Sequence, residues 1–175
     1  MAEVEWVKLE LDLRDFSPGA FMASLPTGVA VMTLPELGDG ERRRREIYQL
    51  NKECAADIPD RGQFFTWNEY QRVRFNAPQF RPQGQLLALA GDELVGLCQV
   101  SQRPTVVWTF VEMTGVRRGW RDRGIATALK LTAIDAARAW GATHLRTVHH
   151  PNNGAIIAVN RKLGFHDADF NLGPE

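Results

Sequence analysis

Four arginines, Arg117, Arg118, Arg121 and Arg123, crowd around two glycines, Gly119 and Gly124, in the stretch MTGVRRGWRDRGIATALK from Met113 to Lys130. The residues before this stretch, Thr105 to Val116, are β-branched and aromatic, and those after it repeat at helical spacing. A strand therefore ends at Val116, and a glycine-rich turn opens directly into a helix. The first turn of a helix presents N–H groups that lack intrahelical partners, at the positive end of the helix dipole. Glycine lets a phosphate oxygen approach that backbone closely, and arginine forks match phosphate oxygens. The pattern predicts an anion site of phosphate type built by Arg121, Asp122, Arg123, Gly124, Ile125, Ala126 and Thr127, with Arg117 and Arg118 adding charge. The P-loop pattern GxxxxGK[ST] and the dinucleotide pattern GxGxxG are both absent.

Composition narrows the class. The chain has 175 residues, 44% of them hydrophobic and 24% charged, with 21 basic and 21 acidic side chains. Those values fit one globular domain with a real core. A net charge of zero, without interleaved aromatic and basic residues, argues against nucleic acid as a partner, and similarly against a membrane surface. The start, Met1 to Trp6, lacks the basic and apolar regions of a signal peptide, and no apolar run approaches the ~18 residues of a membrane span. Cys54 and Cys98 are far apart and form no CxxC pair, so a cytoplasmic, reducing setting is expected. His144, His149, His150 and His166 show no zinc spacing, and no metal is expected.

The elements that must position the loop can be read from periodicity. Val4 to Leu13 alternates as a strand, Phe16 to Thr27 reads as a linker, and Gly28 to Leu34 is a second strand ending at Pro35. Asp39 can cap a helix from Glu41, with the stripe Ile47, Leu50, Cys54 and Ile58, ended by Pro59. Thr66-Trp67-Asn68-Glu69 is a capping box for a helix from Trp67 to Phe75. Gln85–Ala90 and Glu93–Ser101 form a hairpin on Gly91-Asp92. The helix after the loop runs from Gly124 to Trp140, with the stripe Ile125, Leu129, Ala133, Ala136 and Trp140, and Gly141 stops it. His144 to His149 is a strand, Asn153 opens a last helix to Leu163, and Phe165 to Leu172 can form a final strand. Antiparallel strands in the first half and helix–strand alternation in the second predict a mixed α/β architecture. The run Glu41 to Glu46 (ERRRRE) is either a solvated helix face or a site for an acidic substrate or partner.

The triplet Arg121, Gly124 and Ala126 resembles the Q/R-x-x-G-x-G/A motif of the GNAT superfamily, which stands between a strand and a long helix. About thirty residues on, Asn153 at a helix start and the closing Asn160-Arg161-Lys162-Leu163-Gly164-Phe165 are similar to the same superfamily, and the likeness extends from about Gly28 to Phe165. It implies a GNAT fold: a mixed, mostly antiparallel sheet with one splayed parallel pair, flanked by helices. It implies acetyl-CoA as cofactor, with the pyrophosphate on the loop amides. Its pantetheine arm lies in the splay along Thr114 and Val116, and Asn153 and Asn160 are near the arm. The activity implied is N-acetyl transfer to the primary amine of a small molecule or peptide by direct attack. An ammonium has no lone pair, so a base or a water path must take its proton. Glu112 and His149 are the candidates. Glu112 precedes Val116 by four, so Glu112, Thr114 and Val116 are expected to point to one face of the strand.

The chain departs from that pattern in two places. The family's tyrosine, four residues before the glycine of the Gly-Phe pair, is here Asn160, which can donate a hydrogen bond but cannot act as a general acid. A catalytically inactive CoA-binding module is therefore the alternative to an enzyme. Only ten residues follow Phe165, too few for the usual last strand, while Val4 to Leu13 is a spare one. Residues 1–27 are accordingly expected to fill a sheet edge of the domain at 28–175. The strand either folds back on its own chain or crosses to a second copy in a strand-exchanged homodimer. Val4 to Leu13 also resembles the strand joining the halves of tandem GNAT chains. Trp67, Tyr70, Phe75 and Phe80 are either core or the lining of an acceptor pocket.

Overall fold

The computed structural model describes residues 3–21 and 24–172. The alternation near the N-terminus forms β1 (Val7–Asp12), which buries Leu9 and Leu11 on one face. The second strand, β2 (Val29–Thr33), runs into a single helical turn, α1 (Leu34–Leu37), closed by a Thr33–Glu36 capping box. The arginine-rich helix α2 (Glu41–Ala55) buries Ile47, Leu50 and Cys54, as its stripe predicts. It ends at Ala55 rather than at Pro59, and Ile58 lies in the turn that follows. Nor does Asp39 cap it: Gly40 holds the cap position, while Asp39 accepts a fork from Arg44 at 2.6 and 2.8 Å. The Thr66–Glu69 capping box opens α3 (Trp67–Tyr70), which continues as a π-helical turn over Gln71–Phe75.

The hairpin forms as read, from β3 (Gln85–Ala90) and β4 (Glu93–Gln102), with Gly91 at φ 60° in its turn. Next come β5 (Trp108–Val116), α4 (Ile125–Ala139), β6 (His144–His149) and α5 (Gly154–Lys162). The last strand, β7 (His166–Asp167), is only two residues long. Expected from Phe165 to Leu172, it gives way after Asp167 to a tail whose Phe170 is buried and whose Phe170 carbonyl accepts from Lys8 Nζ at 3.0 Å.

All seven strands form one sheet in the order β2-β3-β4-β5-β6-β1-β7. Every neighbouring pair is antiparallel except β5 and β6, the single parallel pair. Helices cover both faces. One core cluster joins α4 to Leu9, Leu11, Leu13, Val111 and Leu145; the other joins α2 and α3 to Leu87, Leu89, Leu94 and Leu97. Among the described residues no helix is long and apolar enough to cross a membrane.

In the single chain the spare strand lies near the sheet edge, between β6 and β7. β1 pairs with β6 from Val7↔His149 to Asp12↔His144, and its far side takes β7. The Arg138 guanidinium of α4 donates to the carbonyls of Leu13 and Phe16, which clamps the chain as it leaves β1. On the polar face Glu10 accepts from Arg146, its cross-strand partner, at 2.5 Å. The two ambiguous clusters also resolve. The ERRRRE run pairs with neighbouring carboxylates, Arg42 and Arg43 with Glu46, Arg44 with Asp39 and Arg45 with Glu41, as a solvated helix face does. Tyr70 and Phe75 are core, with Trp67 and Phe80 packed against the same cluster.

Deleting residues 1–16 removes three leucines that are at most 5% exposed. Each contributes roughly 1.5–3 kcal/mol, so Tm should fall by about 10 °C or more. Thermal unfolding followed by circular dichroism, together with solution mass, checks this. An unchanged Tm and an unchanged number of chains per particle would show that β1 does not hold the edge.

Candidate functional site

The parallel ladder between β5 and β6 pairs Trp108↔His144 through Val111↔Thr147 and stops there. β5 nevertheless continues to Val116, still paired with β4. The change of course coincides with a bulge: Gln99 faces Met113 and Val100 faces Val111, so Glu112 is one residue too many for β4. Such an insertion bends its strand and re-aims the side chains. The unpaired edge of β5 from Met113 to Val116 therefore borders an open wedge.

The bulge corrects one expectation. Glu112 and Thr114 do not share a face. Thr114 Oγ1 meets Cys98 Sγ at 3.4 Å, in the core under α4. Glu112 turns to the α3 side, where its Oε2 accepts from Arg74 Nη1 at 3.0 Å and its Oε1 from Ser101 Oγ at 2.7 Å. Strand alternation assumes one residue per ladder step, and the bulge breaks that count.

Above the wedge, the loop forms as the glycines require. Gly124 is the N-cap of α4 at φ 80°, a left-handed conformation that favours glycine, and no side chain caps the helix. Asp122 also has positive φ, 59°. The first helical bond runs from the Ala128 N–H to the Gly124 carbonyl at 3.0 Å, which leaves the amides of Ile125, Ala126 and Thr127 without helical partners. Arg121 is held at the mouth: its Nε donates to the Val116 carbonyl at 2.9 Å and its Nη2 to Asp57 at 2.6 Å. Arg118 donates to the same carboxylate. These hydrogen bonds, Arg118 first and then Arg121, hold the Asp57 carboxyl well below the usual range. Arg123 lies over the Trp120 ring at 5.1 Å, and Arg117 pairs with Glu53 and Glu93 away from the loop.

The loop and the wedge are one cleft of about 510 Å³. Of the residues expected to bind a cofactor, Thr114, Val116, Arg121, Asp122, Gly124, Ile125, Ala126, Thr127 and Asn153 line it; Arg117, Arg118, Arg123 and Asn160 stand outside the lining. Asn153 is the N-cap of α5, yet its side chain makes no capping hydrogen bond. Sequence reading missed the opposite wall, which comes from Cys54, Asp57 and Ile58 at the end of α2 and from Ala155, Ile156, Val159 and Lys162 of α5. Asp57 carried no signal, because it becomes a partner of the arginine loop only when α2 packs on β5. That packing is close. A Cβ on Gly115 would lie 2.6 Å from Cys54 Cβ. Burial pushes the Cys54 thiol up to about 12, so it is no nucleophile at neutral pH.

His149 sits at the end of β6. Its Nε2 accepts from Asn160 Nδ2 at 2.8 Å, which makes the ring the neutral Nδ1–H tautomer. Burial first, and then the charge of Lys130, push its pKa down to about 3. The lone pair on Nε2 is thus already engaged. Asn160 is fully buried, and its Oδ1 has no hydrogen-bond partner. Lys130, on the inner face of α4, is also fully buried, and its Nζ is likewise unpartnered. The predicted stripe of α4 named Ala136 and Trp140; the observed inner face instead takes in Ala128, Lys130, Ile134 and Ala137.

Comparison with known proteins adds the following. The profile of the acetyltransferase (GNAT) family matches residues 44–165. A mycothiol acetyltransferase from Streptomyces scabiei (strain 87.22) is 28% identical over 158 residues, 90% of this chain and 49% of that protein. The crystal structure of a GCN5-related N-acetyltransferase from Sphaerobacter thermophilus superposes with a TM-score of 0.71 at 22% identity, covering 93% of this chain and 48% of the other. A tandem GNAT protein from the clavulanic acid biosynthesis pathway gives 0.67 at 21% identity, over 96% and 52%. The chain thus spans about half the length of these relatives.

The buried, neutral His149 generates a pH prediction. Its folded pKa of about 3 lies below the ordinary imidazole value of 6.5, so the unfolded chain binds the extra proton as pH falls. The stability that His149 contributes is complete above pH 6.5 and is lost progressively toward pH 3. In NMR titration its ring resonances should stay flat across about pH 5 to 8. A midpoint within that window would overturn the buried, neutral assignment.

Proposed function

Because the chain belongs to the acetyltransferase (GNAT) family, we propose that it transfers an acetyl group from acetyl-CoA to a primary amine of a small molecule or peptide. The observation that carries the reading is the continuity of the cleft. An unpaired edge of β5, bordering a gap in the sheet, leads straight to uncapped amides at the start of α4. Acetyl-CoA supplies the activated acyl group. The amides of Ile125, Ala126 and Thr127 fit its pyrophosphate, and Arg121 stands beside them with Arg118 and Arg123 close by. Phosphate oxygens and Asp57 would compete for Arg118 and Arg121. The free edge from Thr114 to Val116 fits an amide-bearing arm, because its backbone groups on that side have no strand partner. Asn153, uncommitted to capping, can reach the same arm.

Glu112 takes the proton released by the attacking amine, directly or through water. Arg74 and Ser101 orient its carboxylate. His149 orders the end of the wedge through Asn160. The inert Cys54 supports direct attack rather than an acyl-cysteine route. The buried free thiols Cys54 and Cys98 suit a cytoplasmic, reducing setting. A homodimer would form if β1 exchanged between copies, keeping the same ladder in trans. One observation favours a second reading, a CoA-binding module without turnover: Asn160 cannot supply a proton.

Calorimetric titration with acetyl-CoA and with CoA tests the reading. The native chain should bind with a Kd on the order of micromolar. Gly124→Trp, with a bulky side chain forced to φ 80°, should lose that binding. Once an acceptor is found by thiol release, Glu112→Gln should lower kcat about 10²-fold or more and leave the Kd unchanged. Failure of the native chain to bind either ligand would overturn the proposal.

A further inference from the structure

A second cavity, of about 420 Å³, lies where α2 gives way to the turn before α3. Its lining includes Lys52 and Ala55 of α2, then Ile58, Asp60, Arg61 and Phe64. The charge on this wall is cationic. Among the described residues neither Arg61 nor the exposed Lys52 has a carboxylate partner. The one acidic residue of the lining, Asp60, accepts from His150 Nε2 at 3.1 Å. His150 Nδ1 accepts the Asn152 N–H, so Nε2 is the donor. The Asp60 carboxylate is thus drawn to the end of β6 and leaves Arg61 unpaired.

Arg61 is held by rings instead of by charge. Its guanidinium lies 5.1 Å from the ring centres of both Phe64 and Phe65, which meet edge to face at 63°. The rings are themselves anchored. Phe64 packs on Tyr48 and Tyr70, and the Tyr48 hydroxyl donates to the Phe65 carbonyl at 2.8 Å. A guanidinium over aromatic rings keeps its in-plane N–H donors for an acceptor, and among the described residues none of them meets one. Burial first, and then the charge of Arg74, lower the Arg61 pKa, so lost water and a like charge both press on it.

Two observations join this cavity to the site. Ile58 lines it and lines the larger cleft as well, so one side chain is common to both walls. Arg74, whose charge reaches Arg61, is the residue that donates to Glu112 at 3.0 Å. The intervening turn is pinned on both sides of Ile58, through Asp57 to Arg118 and Arg121 and through Asp60 to His150. Arg61 follows the second pin directly.

We propose that this cavity is the acceptor subsite, and that Arg61 grips a carboxylate carried on the same molecule as the reacting amine. This rests on the acetyl-CoA reading above and names the class of acceptor, an amino acid or a short peptide. One planar fork matches a carboxylate in a bidentate pair, and a partly buried pair is stronger than one in water. The carboxylate also offsets the repulsion between Arg61 and Arg74. With that end fixed, the amine is directed past Ile58 toward the cleft and Glu112. An acceptor that carries only positive charge gains nothing from this wall and is repelled by it.

Calorimetry first measures acetyl-CoA binding by the native chain and by Arg61→Gln, with Tm recorded for both. Primary amines are then compared by thiol release. Amino acids and dipeptides are each set beside their carboxamides, with phosphate-bearing and purely cationic amines alongside. The native chain should use the carboxylates with kcat/KM about 10-fold or more above the carboxamides. In Arg61→Gln, with Tm and the Kd for acetyl-CoA unchanged, KM for the carboxylates should rise by about the same factor. The ratio within each pair should fall toward one, and Arg61→Lys should recover part of it. Equal use of each pair, a preference that survives in Arg61→Gln, or no acetylation of any carboxylate-bearing amine would each overturn the role of Arg61 and leave acetyl-CoA binding standing. Lower Tm and weaker acetyl-CoA binding in the variant would overturn it too, by making Arg61 a support of the fold. No acetyl-CoA binding by the native chain would remove that reading, and this inference with it.

Discussion

One extra residue in one strand sets the shape of the site. Glu112 has no counterpart on β4, and from that point β5 keeps its ladder with β4 while losing the one with β6. Backbone N–H and C=O groups away from water need partners. The edge of β5 left free inside the sheet thus keeps backbone groups without strand partners. The same insertion turns the Glu112 carboxylate toward Arg74 and Ser101, away from the Thr114 side. Cleft and candidate base are two consequences of one irregularity.

Electrostatics within the cleft is divided by depth. At the mouth, charge is plentiful and shared: two arginines of the loop meet one aspartate, Asp57, beside an uncapped helix start. These groups are partly exposed, so each pair is individually weak. Outside the lining, within the core under α4, lies Lys130, the one fully buried lysine among the described residues, beside the neutral Cys98 and His149. Desolvation raises the cost of leaving that cation unpaired and, equally, the strength with which it would attract an anion.

The N-terminal strand gives this arrangement its rigidity. β6 pairs with β5 over only part of its length, so it needs support on its other side, and β1 supplies it along all six residues. Leu9, Leu11 and Leu13 then close the core beneath α4, and Arg138 ties the exit of the strand to that helix. His149, Asn160 and Lys130 are held against this part of the sheet, so the support of β1 extends to the base of the wedge.

Local chemistry was legible in the amino-acid sequence wherever it depended on neighbours in the chain. The Arg121–Thr127 loop, the Gly91-Asp92 hairpin, the Thr66 capping box and the alternation of β1 all form as read, because φ preference, capping and periodicity act over a few residues. The near side of the cleft was therefore identified before any packing was known. The tertiary structure decided everything that required distant segments to meet. It alone set β1 beside β6, brought Asp57 to the arginines, put Tyr70 and Phe75 in the core with Trp67 and Phe80 packed against it, and separated Glu112 from Thr114. The burial of Lys130 was likewise invisible, since a lysine on a helix reads as solvated unless the width of the packed face is known. A bulge, an edge and a buried charge are properties of two or more strands and helices together, and no single stretch of chain encodes them.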